Sequence, residues 1–230
     1  MNFVQKESTG AVEDAYPWTQ PFSIAVVDDE DSVRTILVLL LRDAGYEVED
    51  FRSPAEFLNV MRQGRSYDCV LLDEFMDDMD GLQTFAELRK LGSLIPAIMV
   101  TGGATPELTM KAIDSGFRYL FEKPIQQEEL IQRTRRYCEE YRNNRREKLR
   151  EAGEQTKLEM LSEREVQVLK LLASGYLNKQ IASELGVGLR TVETYRNRVM
   201  QKIGATCFAD AVAFAISVKL RKPGVRSQAL

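Results

Sequence analysis

Residues 70–81 read VLLDEFMDDMDG. Val70-Leu71-Leu72 is an apolar run that breaks on Asp73 into a turn carrying Glu74, Asp77, Asp78 and Asp80 before Gly81. One carboxylate at the end of a strand is ordinarily a solvated loop residue, but a turn this acidic calls for a partner elsewhere in the chain. Four further runs share the character of the first: Ile24-Ala25-Val26-Val27, Val48 to Phe51, Ala97-Ile98-Met99-Val100 and Tyr119-Leu120-Phe121. Between them the pattern predicts helices over about 32–44, 54–63, 82–91 and 106–115, with a last one starting near Gln126. Gly45, Gly64, Gly92 and Gly116 each stand where a helix should stop. Strands too apolar to be half-exposed, alternating with helices, predict an α/β fold: a doubly wound, five-stranded parallel sheet covered on both faces.

In such a sheet, ligands sit beyond the carboxyl ends of the strands. The first strand ends in Asp28-Asp29-Glu30, the third in Asp73 and the fourth in Thr101-Gly102, and the fifth runs toward Lys123-Pro124. Neighbouring strands would bring acids, a hydroxyl and an ammonium to one rim. Carboxylates that close repel unless a cation neutralises them, and the chain has no histidine, so a hard, oxygen-seeking ion such as Mg²⁺ fits. A carboxylate beside such an ion, facing a hydroxyl and a lysine, can attack phosphorus and hold the transferred oxygens.

The motifs VVDDE, LLDxxMxxMDG, TGG and EKP, in this order across residues 22–137, resemble the receiver domain of bacterial two-component response regulators. The resemblance implies that Asp73 is the phosphoacceptor. It further implies that Asp28, Asp29, Asp73 and the backbone carbonyl of Phe75 bind Mg²⁺, that Thr101 and Lys123 contact the phosphoryl group, and that the Lys123–Pro124 bond is cis. Two positions depart from the family pattern. Asp77 stands where most receivers have proline, and Leu120 occupies the switch position that is usually aromatic. Tyr119 is adjacent to Leu120, but neighbouring strand residues point to opposite faces.

Charge divides the chain. Lys157 to Leu230 holds twelve Lys/Arg and six Asp/Glu, a net of +6, while residues 1–156 hold nineteen and twenty-nine, a net of −10. Two domains with different partners are suggested; the basic one suits nucleic acid, though charge alone is equally met by a solvated face. The polar stretch 139–157 either continues the preceding helix or forms a linker, with Gly153 as the expected break. Positions Ile131, Thr134, Cys138, Tyr141 and Arg145 lose apolar character quickly, which argues against an extended coiled coil. Cys69, Cys138 and Cys207 show no metal-site or disulfide spacing, and no apolar stretch is long enough for a bilayer. The N-terminus has no secretory pattern, so a cytoplasmic protein without a membrane partner is expected.

The basic part contains three helical stretches. Ser162 and Glu165 form a capping-box pattern, and Val166, Leu169 and Leu172-Ala173 follow on one stripe. Gly175 closes the first stretch. Asn178 to Leu185 forms the second, with Ile181, Ala182 and Leu185 inward, and Gly186-Val187-Gly188 makes the turn. Val192, Val199 and Ile203, with Tyr195 beside them, give the third helix an inward face, leaving Arg190, Glu193, Thr194, Asn197, Arg198 and Gln201 opposite. Residues 158–220 resemble the LuxR/FixJ-type helix-turn-helix domain, through Leu161, Glu165, Leu169, Gly175, Asn178-Lys179, Ile181-Ala182, Thr191-Val192 and Lys202. Gly188 replaces the usual Ser or Thr cap. The resemblance implies base contacts from Glu193, Thr194 and Asn197, and phosphate contacts from Lys179, Arg190, Arg196, Arg198 and Lys202.

The domains expected are a tail over 1–21, a receiver over 22–137, a helical linker over 138–157, a DNA-binding domain over 158–220 and a tail over 221–230. Tyr16-Pro17-Trp18 is expected as an anchored aromatic in the first tail, and KPGVRSQAL as a frayed end. The expected function is a transcription factor, not an enzyme, phosphorylated on Asp73 by a sensor histidine kinase. It would bind double-stranded promoter DNA as a homodimer formed on phosphorylation, through the region 105–122 or the long helix. One rival is a phosphoester hydrolase working through Asp73. The other is a phosphorylation-independent DNA-binding regulator whose receiver serves only for dimerisation.

Overall fold

The computed structural model describes residues 20–220, so the expectations for Tyr16-Pro17-Trp18 and the C-terminal KPGVRSQAL fall outside the described residues. The chain divides into two compact units between Arg142 and Asn143. In the first, β1 (Ser23–Val27), β2 (Glu47–Phe51), β3 (Cys69–Asp73), β4 (Ala97–Thr101) and β5 (Tyr119–Glu122) form one sheet in the order β2-β1-β3-β4-β5. Every pairing is parallel. The connections are α1 (Asp31–Asp43), α2 (Pro54–Arg62), α3 (Gly81–Lys90) and α4 (Pro106–Ser115), and α5 (Gln127–Glu159) follows β5. Within this sheet the chain reverses direction between β1 and β3, which opens a crevice at their carboxyl ends.

Strand periodicity sorts the core into two layers. Ala25, Val27, Val70, Leu72, Ala97 and Met99 point toward Phe57 and Leu58 of α2, Phe85 and Leu88 of α3 and Ala112 of α4. Ile24, Val26, Cys69, Leu71, Ile98 and Val100 point toward Leu37 and Leu41 of α1 and Leu130, Tyr137 and Cys138 of α5. Every residue of β3 and β4 is buried, as a sheet covered on both faces requires. Three of the helix starts carry side-chain caps: Ser53 accepts from Glu56 N–H, Asp80 from Gln83 N–H, and Thr105 from Leu108 N–H ahead of Pro106. The four glycines expected to end helices all have positive φ.

Gly81 answers to a different constraint. Its N–H donates to the Glu74 carbonyl at 3.1 Å, closing the turn between β3 and α3. A methyl group here would lie 2.5 Å from the main-chain oxygen of Asp73 and 3.1 Å from Glu74 Oε2. Helix α3 therefore starts this close to Asp73 only because residue 81 has no side chain.

Helix α5 continues through Gly153, contrary to the expected break there. A helical glycine costs about 0.5–1 kcal/mol relative to alanine, and the flanking groups offset it. Arg150 reaches Glu154 at 3.6 Å, and Gln155 donates to Glu159 at 3.0 Å. Leu158 packs into the second unit's core, and Lys157 Nζ donates to the Ile203 carbonyl at 2.9 Å. Upstream the buried positions are Leu130, Thr134, Tyr137 and Cys138, whereas Arg145 is exposed. The inward stripe therefore holds Thr134 and Cys138 as expected, together with Leu130 and Tyr137, which periodicity had not singled out.

The second unit contains α6 (Glu163–Ala173), α7 (Asn178–Leu185), α8 (Leu189–Ile203) and α9 (Phe208–Ser217). The fourth of these was not foreseen. Ala211, Phe214 and Ala215 bury its inner face against Leu169, Val199 and Ile203. Its start is held by Asp210, whose Oδ2 accepts from Thr206 N–H, Thr206 hydroxyl and Cys207 N–H at 2.8, 2.7 and 3.0 Å. The Ser162–Glu165 capping box is present at α6.

Two predictions follow from these contacts. Gly81→Ala should lower stability by about 1–3 kcal/mol, the usual cost of overpacking, read as a reduced urea midpoint with an unchanged slope. The hydrogen bonds from Thr206 and Cys207 hold the Asp210 carboxyl down at about 2, below its ordinary 3.8. A depressed carboxylate stabilises the fold above its unfolded value and loses that contribution as pH falls through its folded value. The melting-temperature gap between wild type and Asp210→Ala should therefore be full above pH 3.8 and close as pH falls to about 2. A gap that did not change across that window would remove Asp210 as the ionised cap.

Candidate functional site

The carboxyl ends of β1 and β3 are paired strands side by side, with Val27 level with Leu72. Their next residues place Asp28 and Asp73 together, 1 % and 5 % exposed. Lys123, just beyond β5, reaches in between them: its Nζ is 2.6 Å from Asp73 Oδ1 and 3.1 Å from Asp28 Oδ2. The bond that follows, Lys123–Pro124, is cis. The second oxygen of each buried acid also has a donor. Asp73 Oδ2 accepts from Phe75 N–H at 2.9 Å, and Asp28 Oδ1 accepts from Glu30 N–H at 2.8 Å. Asp29 lies at the solvent edge, where its Oδ2 accepts from Asp77 N–H at 3.2 Å. One carboxylate oxygen from each of Asp28, Asp29 and Asp73 falls within 4.8 Å of the others.

Three carboxylates around one ammonium leave a net negative site. Burial pushes the Asp28 and Asp73 carboxyls above their ordinary range, and their acidic neighbours add to the effect, against the pull of Lys123. Burial works to lower the Lys123 ammonium, but its bonds to Asp73 and Asp28 hold it above its usual value. The donor set is all oxygen, partly open to solvent, and short of positive charge. It suits a small hard divalent cation.

The remaining candidates occupy distinct places. Thr101 is buried at the end of β4, and its hydroxyl accepts from Gly103 N–H at 3.2 Å within its own loop. Phe75 enters the site through its main chain, since its side chain is exposed. Leu120 packs against the α2–α4 layer and Tyr119 against the opposite one. The Tyr119 hydroxyl donates to Glu129 at 2.7 Å, and Arg133 lies over its ring at 4.4 Å.

Two residues near the acids escaped the sequence reading. Arg34 is buried in α1. Its guanidinium donates to the Asp28 carbonyl at 2.8 Å and to Asp50 at 3.2 Å, and also pairs with Asp31, tying the β1–α1 turn in place. Three residues into α1 and facing inward, it could have been flagged as a charged residue on the apolar stripe. Glu74 is buried directly after Asp73. Burial, with Asp80 and Asp73 nearby, pushes its carboxyl up to about 7. Its Oε2 has no hydrogen-bond partner among the described residues.

In the second unit, α7, the Gly186–Gly188 turn and α8 form the helix-turn-helix. Gly186 ends α7 in the left-handed region at φ 65°, and Gly188 is the N-cap of α8 without a side-chain bond. Val192, Val199 and Ile203 are buried, while Arg190, Glu193, Thr194, Asn197, Arg198 and Gln201 are exposed on the other face. Lys179 is exposed on α7. Two of the cations expected to meet phosphate are engaged within the unit. Lys202 Nζ lies 2.7 Å from Glu165 Oε2 and 3.1 Å from the Met160 carbonyl, and Arg196 Nη1 donates to Asn178 Oδ1 at 3.4 Å. Burial works against ionisation of Glu165, but Lys202 and the Ser162 N–H hold its carboxyl below the usual value. Lys202 is therefore the counter-ion of a buried acid, with its own side chain still partly open to solvent.

Comparison with known proteins matches these two sites to two families. Residues 24–135 match the response regulator receiver domain, and residues 159–215 match bacterial regulatory proteins of the luxR family. The chain is 35% identical over 189 residues to the response regulator protein TodT of Pseudomonas putida, covering 82% of this chain and 83% of that one. It is 33% identical over 195 residues to the transcriptional regulatory protein FixJ of Azorhizobium caulinodans, covering 84% and 91%. Among solved structures, the response regulator StyR superposes with a TM-score of 0.72 at 31% identity, covering 84% of this chain and 98% of that one. Full-length FixJ from B. japonicum does so with 0.55 at 30%, covering 88% and 99%. An acidic pocket at a sheet's carboxyl edge and a helix-turn-helix with a polar outer face thus occur in one chain, and this chain belongs to the response regulator transcription factors that join a receiver domain to a luxR-type DNA-binding domain.

Proposed function

We propose that Asp73 accepts a phosphoryl group from a phosphohistidine of a sensor kinase and that this controls DNA binding by α8. The observation that carries the reading is the Lys123 ammonium held between Asp73 and Asp28, with Asp29 beside them. An Asp73 carboxylate oxygen attacks phosphorus while the donor's P–N bond breaks, its electron pair leaving with the imidazole. Lys123, already on Asp73 Oδ1, neutralises charge on the transferred oxygens. Thr101 would exchange its bond with Gly103 for one to a phosphoryl oxygen. Asp28, Asp29, Asp73 and the Phe75 carbonyl would hold Mg²⁺, which when bound supplies charge neutralisation and orientation of the phosphoryl oxygens.

The output follows from packing. Leu120 lies partly buried on an apolar layer and carries no polar tip, so it gives little bias between two states. We assign the coupling to the Gly102–Pro106 loop and α4, with a homodimer favoured by phosphorylation through the 105–122 region. Glu193, Thr194 and Asn197 read base edges, while Lys179, Arg190 and Arg198 position the domain on phosphates. Arg196 of α8 is half-buried against Asn178 of α7 and would contribute only its outer edge. We place the receiver at 22–137, the linker at 138–157 and the DNA-binding domain at 158–220, between tails over 1–21 and 221–230. The protein works in the bacterial cytoplasm, and among the described residues no single helix is long and apolar enough to cross a membrane. It acts stoichiometrically as a regulator and does not turn over phosphoesters.

Two experiments test this reading. A small-molecule phosphodonor with Mg²⁺ should add one phosphoryl group by intact mass and tighten operator binding, and Asp73→Asn should prevent both. Full labelling of the Asp73→Asn protein would move the acceptor elsewhere. Labelling without any change in DNA binding would favour the phosphorylation-independent regulator. For the interface, Asn197→Ala should relax base preference by about 1–3 kcal/mol at one position. Arg198→Ala should weaken all sequences alike and shallow the salt dependence by about one unit. Identical behaviour of the two variants across an operator panel would erase the division between reading and positioning.

A further inference from the structure

The three pocket carboxylates are not held alike. Asp28 and Asp73 are buried, share Lys123, and each also accept a hydrogen bond from a main-chain N–H two residues on. Asp29 is exposed and makes no contact with that ammonium. Among the described residues, its hydrogen-bond donor is the main-chain N–H of Asp77, forty-eight positions away at 3.2 Å. That N–H belongs to the loop leaving β3, whereas Asp29 belongs to the loop leaving β1. The bond ties the two loops together across the mouth of the pocket. One Asp29 oxygen also belongs to the set of three that lie within 4.8 Å of one another.

We infer that Asp77 is a positioning residue that acts through its main-chain N–H, orienting Asp29 for the divalent cation whatever its side chain is. The inference rests on the proposed cation site. Its physical basis is general. A carboxylate free to rotate at a solvent edge loses rotamer freedom when it is recruited by a cation. A donor that holds one oxygen beforehand removes part of that loss and leaves the other oxygen for the ion. The Asp77 side chain is exposed and is absent from the cluster of converging oxygens, so it adds charge at the rim but no ligand atom. Proline at this position would lack the donor, and alanine would keep it.

The test is a calorimetric titration of the full chain with Mg²⁺ alone, comparing wild type, Asp77→Ala and Asp77→Pro. Both variants lose the charge, so their ratio isolates the N–H. Asp77→Pro should bind roughly tenfold more weakly than Asp77→Ala, the lower end of the losses typical of outer-shell partners. Placed on an Asp29→Ala background, the same pair should bind equally. Equal affinities of the two single variants would overturn the inference, as would a proline deficit that persisted without Asp29, since the proline would then act by bending the loop. A wild type that bound no Mg²⁺ would overturn the cation site itself, an outcome distinct from either. A second measurement needs no proline: in a ¹H–¹⁵N spectrum the residue-77 amide should shift upfield and exchange faster in Asp29→Ala. A resonance that stayed in place would also sink the proposal.

Discussion

Lys123 is placed between Asp28 and Asp73, 95 and 50 residues away in sequence, and much of the first unit can be understood as the means of placing it. Burying two carboxylates side by side is unfavourable, because each raises the other's cost of ionisation and the interior withdraws solvent from both. One ammonium offsets part of that cost. Two main-chain N–H groups offset more, and Arg34 holds the turn that carries Asp28. What remains is a deficit of positive charge confined to one rim. An all-oxygen donor set short of positive charge suits a small hard divalent cation.

The second unit resolves a similar problem to completion. Glu165 is buried, yet it accepts from Ser162 N–H and meets Lys202, so its charge is satisfied inside the unit. Removing Lys202 would leave a buried carboxylate without its cation, which is costlier than losing an exposed pair. The interior being settled, the outer face of α8 is free to be polar, and its exposed Arg190, Asn197 and Arg198 are set out by the burial of Val192, Val199 and Ile203. One unit keeps an unmet need for cations and the other presents cations outward. The opposite signs of the two halves of the chain correspond to these two tasks.

Helix α5 shows how weak local signals yield to packing. Its second half is almost wholly polar and contains a glycine, yet it remains helical to Glu159. Its polar surface is knit by pairs three and four residues apart, each worth only tenths of a kcal/mol. Arg142 anchors it within the first unit, bonding Asp68 at 2.8 and 2.5 Å and lying over Phe22 at 4.3 Å. The carbonyls of Gln20 and Pro21 complete that anchor. Beyond it, Leu158 and Lys157 tie the helix end to the second unit's core.

The five strands, their parallel sheet and the identity of the rim acids were legible in the sequence because strand periodicity and glycine stops are local properties. The motif around Asp73 and the stripe of α8 were legible for the same reason. Helix α9 was missed although Ala211, Phe214 and Ala215 fall at helical spacing, since a short apolar run can serve strand or helix equally until it has a surface to pack on. The surroundings of Arg34, Glu74, Lys202 and the Asp77 N–H came only from tertiary structure. Each depends on a distance between segments far apart in the chain, or on which side of a helix meets an interior. A residue's type states what it can donate, accept or neutralise, but the partner that makes it do so is supplied by the fold.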